Sequence, residues 1–159
     1  MNPLSIRSFQ ETLNAGMCGP AVLKMVLKFY GIEKSERELA TLARTTRGSG
    51  TNATALVRVM KRFGLKPIVR NSAGLGDIAR FLKRGVPVIV NWFTRGRPDY
   101  PLAAVPDGHY SIVVGLDAKF IYLQDPEIGK LRKLKREDFL RVWFDYAGEY
   151  LHSKNQMII

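Results

Sequence analysis

Apolar side chains in the first half of the chain recur at the three- and four-residue spacing that is typical of buried helices. The stretch from Cys18 to Tyr30 shows this pattern most clearly, with apolar residues at Val22, Leu23, Val26, Leu27, Phe29 and Tyr30. Gly31 follows directly, and glycine is common just beyond the end of a helix. The pattern therefore predicts a helix that turns one face toward a core.

Three further segments carry helical signals. A second helix begins at Ser35, because Ser35 and Glu38 have the spacing of a capping box. A third helix runs from about Asn52 to Phe63 and ends at Gly64, and a fourth covers Leu75 to Lys83. The chain up to this point is therefore predicted to be mainly helical.

The pattern changes after the fourth helix. Buried strands are predicted by β-branched and aromatic runs at Val86 to Trp92, Tyr110 to Leu116 and Phe120 to Gln124. Weaker signals predict strands at Lys66 to Arg70, Leu131 to Leu134 and Tyr150 to Ile159, and a last helix at Glu137 to Phe144. Helices followed by a mostly antiparallel sheet predict an α+β fold.

The length favours one domain. The chain has 159 residues, which is an ordinary size for a single domain. It contains no low-complexity linker and no internal repeat. We therefore expect residues 1–159 to form a single domain.

Targeting signals are not recognisable in the sequence. The first residues include Arg7 and Glu11 and lack an apolar run of signal-peptide length. The longest apolar stretch, Val86 to Val90, is far shorter than the roughly 20 residues that span a membrane. The sequence predicts a cytoplasmic protein with no membrane span.

The chain is strongly basic, with 25 Lys and Arg residues against 14 Asp and Glu residues and a formal net charge of +11. Two runs, Arg58 to Arg70 and Lys130 to Arg141, concentrate the positive charge. Neither has the interleaved aromatic residues of a single-strand-binding platform or a recognisable nucleic-acid-binding motif. The charge therefore favours a solvated basic surface over a nucleic-acid site.

Cys18 is the one cysteine of the chain, which excludes an intramolecular disulfide and a multi-cysteine zinc site. A lone cysteine on an apolar helix is most often an inert buried side chain. Here, however, Cys18 stands before Gly19 and Pro20 at the mouth of the first predicted helix. The amides and dipole of a helix N-terminus favour an anion, so we expect a stabilised thiolate, which is the nucleophilic form of cysteine.

A thiolate that cleaves an amide needs a partner that protonates the leaving amine, and imidazole is the usual choice near neutral pH. His109 enters an apolar strand after Gly108, whereas His152 lies in a polar tail without such a context. Asp125 ends the next strand, from which it can reach His109 and hold the ring by its second nitrogen. Cysteine, histidine and aspartate then follow the chain order of a papain-like site.

Three ordered segments resemble the peptidase C39 family and its C39-like relatives: Gln10 to Pro20, Gly108 to Gly115 and Leu123 to Gly129. Members of this family are papain-fold cysteine peptidases, best known as the cytosolic domains of exporters that cut leader peptides after a double glycine. The resemblance spans roughly Gln10 to Phe144, and three motifs in order are more specific than any one alone.

The resemblance implies that Cys18 is the nucleophile, His109 the general base and Asp125 the orienting residue. In the family pattern a glutamine about six positions before the cysteine lends its amide to the oxyanion hole. Gln10 lies eight positions before Cys18 and Asn14 lies four before it. We expect Gln10 to take the role through a two-residue insertion in the loop, with Asn14 as the alternative.

Two functions remain open from the sequence. The first is a cysteine peptidase, or a related thiol acyltransferase, that acts on an extended peptide; the second is a non-catalytic relative that binds a peptide in the same groove. The presence of all three residue types favours the first. Candidate substrate contacts are Asn91, Trp92 and Tyr110. No metal ion or other cofactor is expected, because one cysteine and two distant histidines lack the spacing of metal ligands.

Overall fold

A computed structural model describes residues 4–94, 108–147 and 150–159, without the side chains of residues 146–147 and 150–153. The helices are α1 (Cys18–Phe29), α2 (Glu36–Ala43), α3 (Ala53–Arg62), α4 (Leu75–Lys83) and α5 (Arg136–Val142). The strands are β1 (Val69–Arg70), β2 (Val88–Phe93), β3 (Gly108–Leu116), β4 (Phe120–Asp125), β5 (Lys130–Lys135), β6 (Phe144–Ala147), β7 (Tyr150–Lys154) and β8 (Met157–Ile158).

Antiparallel pairing organises the strands. In the described part of the chain, six strands form one sheet in the order β1–β8–β2–β3–β4–β5, and β6 pairs with β7 in a separate hairpin. The central pair runs in register from Val88 opposite Val113 to Phe93 opposite Gly108. N-terminal helices followed by an antiparallel sheet confirm the predicted α+β class.

Both faces of the central strands are buried, and alternate side chains point into different layers. On one face Ile89 and Ile112 pack with the side chains of α1, α2 and α3. On the other face Val88 and Val113 pack with α4 and α5. This arrangement explains the continuous apolar runs in β2 and β3, because a strand covered on both sides has no face that must be polar.

Helices α2 and α3 begin at side-chain caps. The predicted capping box is present, since Ser35 Oγ accepts from the Glu38 N–H and the Glu38 carboxylate accepts from the Ser35 N–H. Asn52 Oδ1 caps α3 by accepting from the Ala55 N–H at 2.9 Å. Among the described residues, no helix combines the length and the hydropathy needed to cross a membrane.

The C-terminal elements differ from the prediction. Helix α5 ends at Val142 and not at Phe144, because Trp143 is fully buried and its Nε1 donates to the Gln156 carbonyl oxygen at 3.0 Å. Phe144 instead begins β6, which the pattern did not predict. The tail predicted as one strand is divided into β7 and β8, with Asn155 between them at a φ of 49°. Asparagine is among the residues that tolerate this left-handed conformation.

Candidate active site

Cys18 is the first residue of α1, where close packing against a neighbouring loop determines its position. The thiol is half-buried. A Cβ on Gly19 would lie 2.5 Å from the Thr51 Cβ, so glycine is required for α1 to begin against the segment that precedes α3. Thr51 is itself held by a 2.7 Å hydrogen bond between its Oγ1 and that of Thr45. The thiol therefore lies where the first-turn amides and the helix dipole favour a negative charge.

His109 lies on β3 directly opposite Trp92 on β2 and is only 5% exposed. Trp92 packs edge-on against the imidazole, with 5.8 Å between the ring centroids. The Nε2 atom of His109 lies 2.8 Å from Asp125 Oδ1. The Cys18 Sγ lies within 4.8 Å of a His109 ring nitrogen. Because Asp125 occupies Nε2, Nδ1 is the nitrogen left for the thiol.

Asp125, the last residue of β4, is almost completely buried and receives hydrogen bonds on both carboxylate oxygens. Oδ1 accepts from His109 and from the Glu127 N–H at 3.0 Å. Oδ2 accepts from Arg132 Nε at 2.6 Å. Arg132, on β5, is 8% exposed and was not a candidate from the sequence. Bonds on both oxygens fix the orientation of the carboxylate plane, and with it the orientation of the imidazole.

The electrostatics of this buried pair favour its charged form. Burial by itself lowers the pKa of His109, but the charge of Asp125 and its hydrogen bond outweigh burial and hold that pKa well above 6.5. Burial by itself raises the pKa of Asp125, but His109 and Arg132 reverse this effect and hold it below 3.8. An imidazolium beside the Cys18 thiol stabilises the thiolate.

Glu11 is a further member of the site that sequence reasoning did not select. One of its carboxylate oxygens, the Cys18 Sγ and a His109 ring nitrogen all lie within 4.8 Å of one another. Its backbone N–H donates to the Pro126 carbonyl oxygen at 2.9 Å, which connects it to the turn that follows Asp125. Burial raises the pKa of Glu11 to about 7. The sequence signal for Glu11 was a carboxyl group between Gln10 and Cys18. Spacing alone does not show that this side chain points into the protein.

The sequence and the fold are both similar to those of known proteins. A model of the peptidase C39 family matches residues 9–149. The chain belongs to the peptidase C39 family. Over 128 residues it is 32% identical to the lactococcin transport/processing ATP-binding protein LcnC-like of Lactococcus lactis subsp. lactis strain IL1403, covering 79% of this chain and 16% of that protein. The chain thus spans about a sixth of the length of this transport protein.

Solved structures of C39 peptidase domains have the same fold. The peptidase domain of Streptococcus ComA, a bifunctional ABC transporter of a quorum-sensing pathway, matches with a TM-score of 0.71 and 23% identity over 96% of each chain. A double glycine motif protease from an AMS/PCAT transporter, in complex with its leader peptide, matches with a TM-score of 0.70 and 18% identity, covering 99% of this chain and 92% of that chain. These likenesses confirm the papain-like α+β fold.

The C39 resemblance suggested the side-chain amides of Gln10 and Asn14 for the oxyanion hole. Both amides lie in surroundings that differ from those of the Glu11 carboxyl group. Gln10 is exposed, and its Nε2 donates to the Glu127 carbonyl oxygen at 3.2 Å. Asn14 is exposed in the loop before Cys18, with a φ of 58°. The oxyanion role of either amide therefore stays a prediction, and the carboxyl group that borders the thiol belongs to Glu11.

The three candidate substrate contacts, Asn91, Trp92 and Tyr110, are all at most 5% exposed, and their contact with a substrate stays a prediction. Trp92 is in the core, and its Nε1 donates to Ser111 Oγ at 3.0 Å. Tyr110 packs in the opposite core cluster. Asn91 Nδ2 donates to Asp145 Oδ2 at 2.7 Å. Because both faces of β2 and β3 are covered, these three side chains lie in the interior of the protein.

No metal ion was expected from the spacing of Cys18, His109 and His152 in the sequence. The side chain of His152 lies outside the described residues. The structure instead brings Glu11 to the cysteine–histidine pair. These atom types also occur in zinc sites, but a thiolate with an imidazole already supplies a nucleophile and a proton carrier, which is chemistry that requires no metal.

Proposed function

We propose that this chain is a cysteine peptidase that cleaves a peptide bond in an extended peptide through a thioester with Cys18. His109 is the general base and acid, and Asp125 orients it. The observation that carries the proposal is the arrangement of the Cys18 sulfur within 4.8 Å of a His109 ring nitrogen, with His109 Nε2 2.8 Å from Asp125 Oδ1, within a member of the C39 family. We also propose that residues 1–159 act as one domain, since the site draws on segments from both ends of the matched region.

Acylation begins with attack of the Cys18 sulfur on the substrate carbonyl carbon. The new carbon–sulfur bond makes the carbonyl oxygen an oxyanion, which we expect the backbone N–H of Cys18 to stabilise. The proton of the thiol resides on His109, and the imidazolium passes it to the leaving nitrogen as the carbon–nitrogen bond breaks. The amine product departs and a thioester remains on Cys18.

Deacylation uses the same groups in reverse. His109, now neutral, removes a proton from a water molecule, whose oxygen attacks the thioester carbonyl. Collapse of the second tetrahedral intermediate breaks the carbon–sulfur bond, releases a carboxylic acid and returns the proton to the Cys18–His109 pair. Asp125 stays ionised throughout, because its role is to hold the ring and stabilise the imidazolium.

A leader or other extended peptide is the substrate class that we propose. The C39 relatives described above are a transport/processing protein and a double glycine motif protease bound to a leader peptide. An extended peptide presents its carbonyl groups at regular intervals. It can therefore bring one of them to a nucleophile at the start of a helix that packs on a sheet. The present chain spans a small share of the transport protein, so the proposal concerns peptide cleavage and not export.

Alkylation with iodoacetamide at pH 6 tests the reactive thiol directly, because Cys18 is the one cysteine in the sequence. We expect incorporation of one carbamidomethyl group per chain at a rate at least about tenfold above that of free glutathione. The variant His109→Gln should bring the rate down to that of an ordinary thiol. Alkylation no faster than glutathione in the unaltered protein contradicts the proposal.

Cleavage is tested with a synthetic leader peptide that ends in Gly-Gly followed by a short cargo, analysed by mass spectrometry. We expect cleavage after the second glycine by the unaltered chain and none by Cys18→Ala. Binding of the peptide without cleavage, together with sluggish alkylation, supports the non-catalytic alternative. Transfer of the acyl group to an added amine in preference to water supports a thiol acyltransferase.

A further inference from the structure

Glu11 has an unusual environment for a half-buried carboxyl group. Its Oε2 is buried and has no hydrogen-bond partner among the described residues. Its carboxylate lies within 4.8 Å of the Cys18 sulfur and a His109 nitrogen. A buried carboxylate without a donor is costly, whereas the carboxylic acid form carries a proton that can be donated. We therefore expect the hydrogen-bond partner of the Glu11 carboxyl group to arrive with the substrate.

The charges around Glu11 favour the acid form near neutral pH. Burial is the main cause that raises its pKa to about 7. His109 opposes the rise, while three carboxylates increase it: Glu127 in the turn after β4, Asp125 at the end of β4 and Glu36 at the start of α2. The Cys18 thiol is a further titratable group close to Glu11.

We propose that Glu11, as a carboxylic acid, completes the oxyanion hole by donating its O–H to the substrate oxygen that becomes negative when Cys18 attacks. This inference rests on the proposed peptidase function. It gives Glu11 the place that sequence reasoning gave to the amide of Gln10, whose Nε2 donates to the Glu127 carbonyl oxygen. The second donor is the backbone N–H of Cys18 at the start of α1.

Chemistry favours a donor role over the other roles open to a carboxyl group here. A base is already present in His109, and a carboxylate so close to the thiolate and the oxyanion would repel both charges. A neutral carboxylic acid in a desolvated site is an effective oxyanion donor. The proton stays on Glu11 during the reaction, so no atom or electron is transferred and the group is ready for the second tetrahedral intermediate.

Two small probes separate oxyanion stabilisation from thiol reactivity. p-Nitrophenyl acetate acylates the thiol through a tetrahedral oxyanion, whereas iodoacetamide alkylates it by displacement and forms none. Both rates depend on the amount of thiolate, which cancels in their ratio. The ratio of the acylation rate to the alkylation rate therefore measures the contribution of the oxyanion hole. Both rates are measured from pH 5.5 to 8.5 on the unaltered chain, on Glu11→Gln and Glu11→Ala, and on the exposed control Glu33→Gln.

In the unaltered chain and in Glu33→Gln the ratio should fall as the pH rises through about 7, because the donor is lost when Glu11 ionises. In Glu11→Gln an amide N–H is available at every pH, so the ratio should no longer depend on pH. In Glu11→Ala the ratio at pH 6 should drop by about 100- to 1000-fold, the usual cost of one oxyanion donor.

Alkylation itself provides the control for folding, since a variant that keeps rapid alkylation keeps the cysteine–histidine pair. An alanine variant with the unaltered ratio at pH 6, or a glutamine variant whose ratio still falls near pH 7, overturns the inference. Slow alkylation of the unaltered chain would instead overturn the proposed function. The two failures are thus distinguishable.

Discussion

Arg132 Nε lies 2.6 Å from Asp125 Oδ2 in the interior of the protein, on the side of the carboxylate away from His109. The three residues lie on the adjacent strands β5, β4 and β3. Asp125 is therefore held between two cations, the His109 imidazolium and the Arg132 guanidinium. Arg132 lies two strands away from His109 and contributes to its orientation through Asp125. We therefore expect Arg132 to be a positioning residue that acts on the thiol through Asp125 and His109.

Replacement of Arg132 by methionine should destabilise the protein by about 3–5 kcal/mol, because it leaves a buried carboxylate with one charged partner fewer. The free energy of unfolding is measured by urea denaturation. Arg37→Met is the matched control, since Arg37 is exposed on α2 and its loss should change stability by less than about 0.5 kcal/mol. Equal effects of the two substitutions would contradict a structural role for the Arg132–Asp125 pair.

The variant Asp125→Asn should reduce peptide cleavage by about 10²- to 10⁴-fold, because the amide no longer stabilises the imidazolium or fixes its tautomer. Cleavage of the Gly-Gly leader peptide is followed at constant substrate. Asp117→Asn, in the exposed turn between β3 and β4, is the control and should leave cleavage unchanged. A fully active Asp125→Asn variant would remove the orienting role of Asp125.

Acid should abolish the stability that Asp125 contributes. Its pKa in the folded protein lies below 3.8, so the unfolded chain takes up its proton at a higher pH than the folded chain does. The difference in unfolding free energy between the unaltered chain and Asp125→Asn should grow as the pH falls from 7 through about 6.5, because Asp125 raises the pKa of His109 in the unaltered chain alone. It should then shrink as the pH falls through the folded pKa of Asp125.

High salt distinguishes the buried Asp125 pair from surface charges. Because salt screens buried pairs much less than exposed ones, the difference measured at pH 7 should persist in 1 M NaCl. A difference that is unchanged at low pH, or that disappears in salt, would show that Asp125 does not form a buried ion pair in solution.

Gly19→Ala should destabilise the start of α1 by about 1–3 kcal/mol, because the added methyl group would lie 2.5 Å from the Thr51 Cβ. The alkylation rate of Cys18 should fall with it, since the cysteine moves with the helix. Gly76→Ala in α4 is the opposite case: its Cβ would meet no atom within 4 Å, and we expect unchanged or slightly increased stability. Thermal unfolding and iodoacetamide labelling measure both effects, and a neutral Gly19→Ala would contradict the close packing at Thr51.

Local signals predicted most of the secondary structure correctly. The capping box at Ser35 and the limits of α4 were confirmed because both depend on residues three or four positions apart. The division of the tail was missed because the burial of Trp143 and its bond to Gln156 depend on residues distant in sequence. The buried position of Arg132 was missed because Leu131 and Leu134 give β5 conflicting patterns, with Leu131 46% exposed and Leu134 6% exposed.

By itself, the sequence determined the order of the elements, the family motifs and the residue types for a cysteine–histidine–aspartate site, because each is encoded by local spacing. Tertiary structure alone decided which carboxyl group borders the thiol and which cation holds Asp125. Those choices depend on how the N-terminal segment crosses the turn after β4 and on the register of β4 with β5. The helices on the two faces of the sheet cover Trp92 and Tyr110. Long-range pairing, and not residue spacing, thus brought Glu11 and Arg132 to the site.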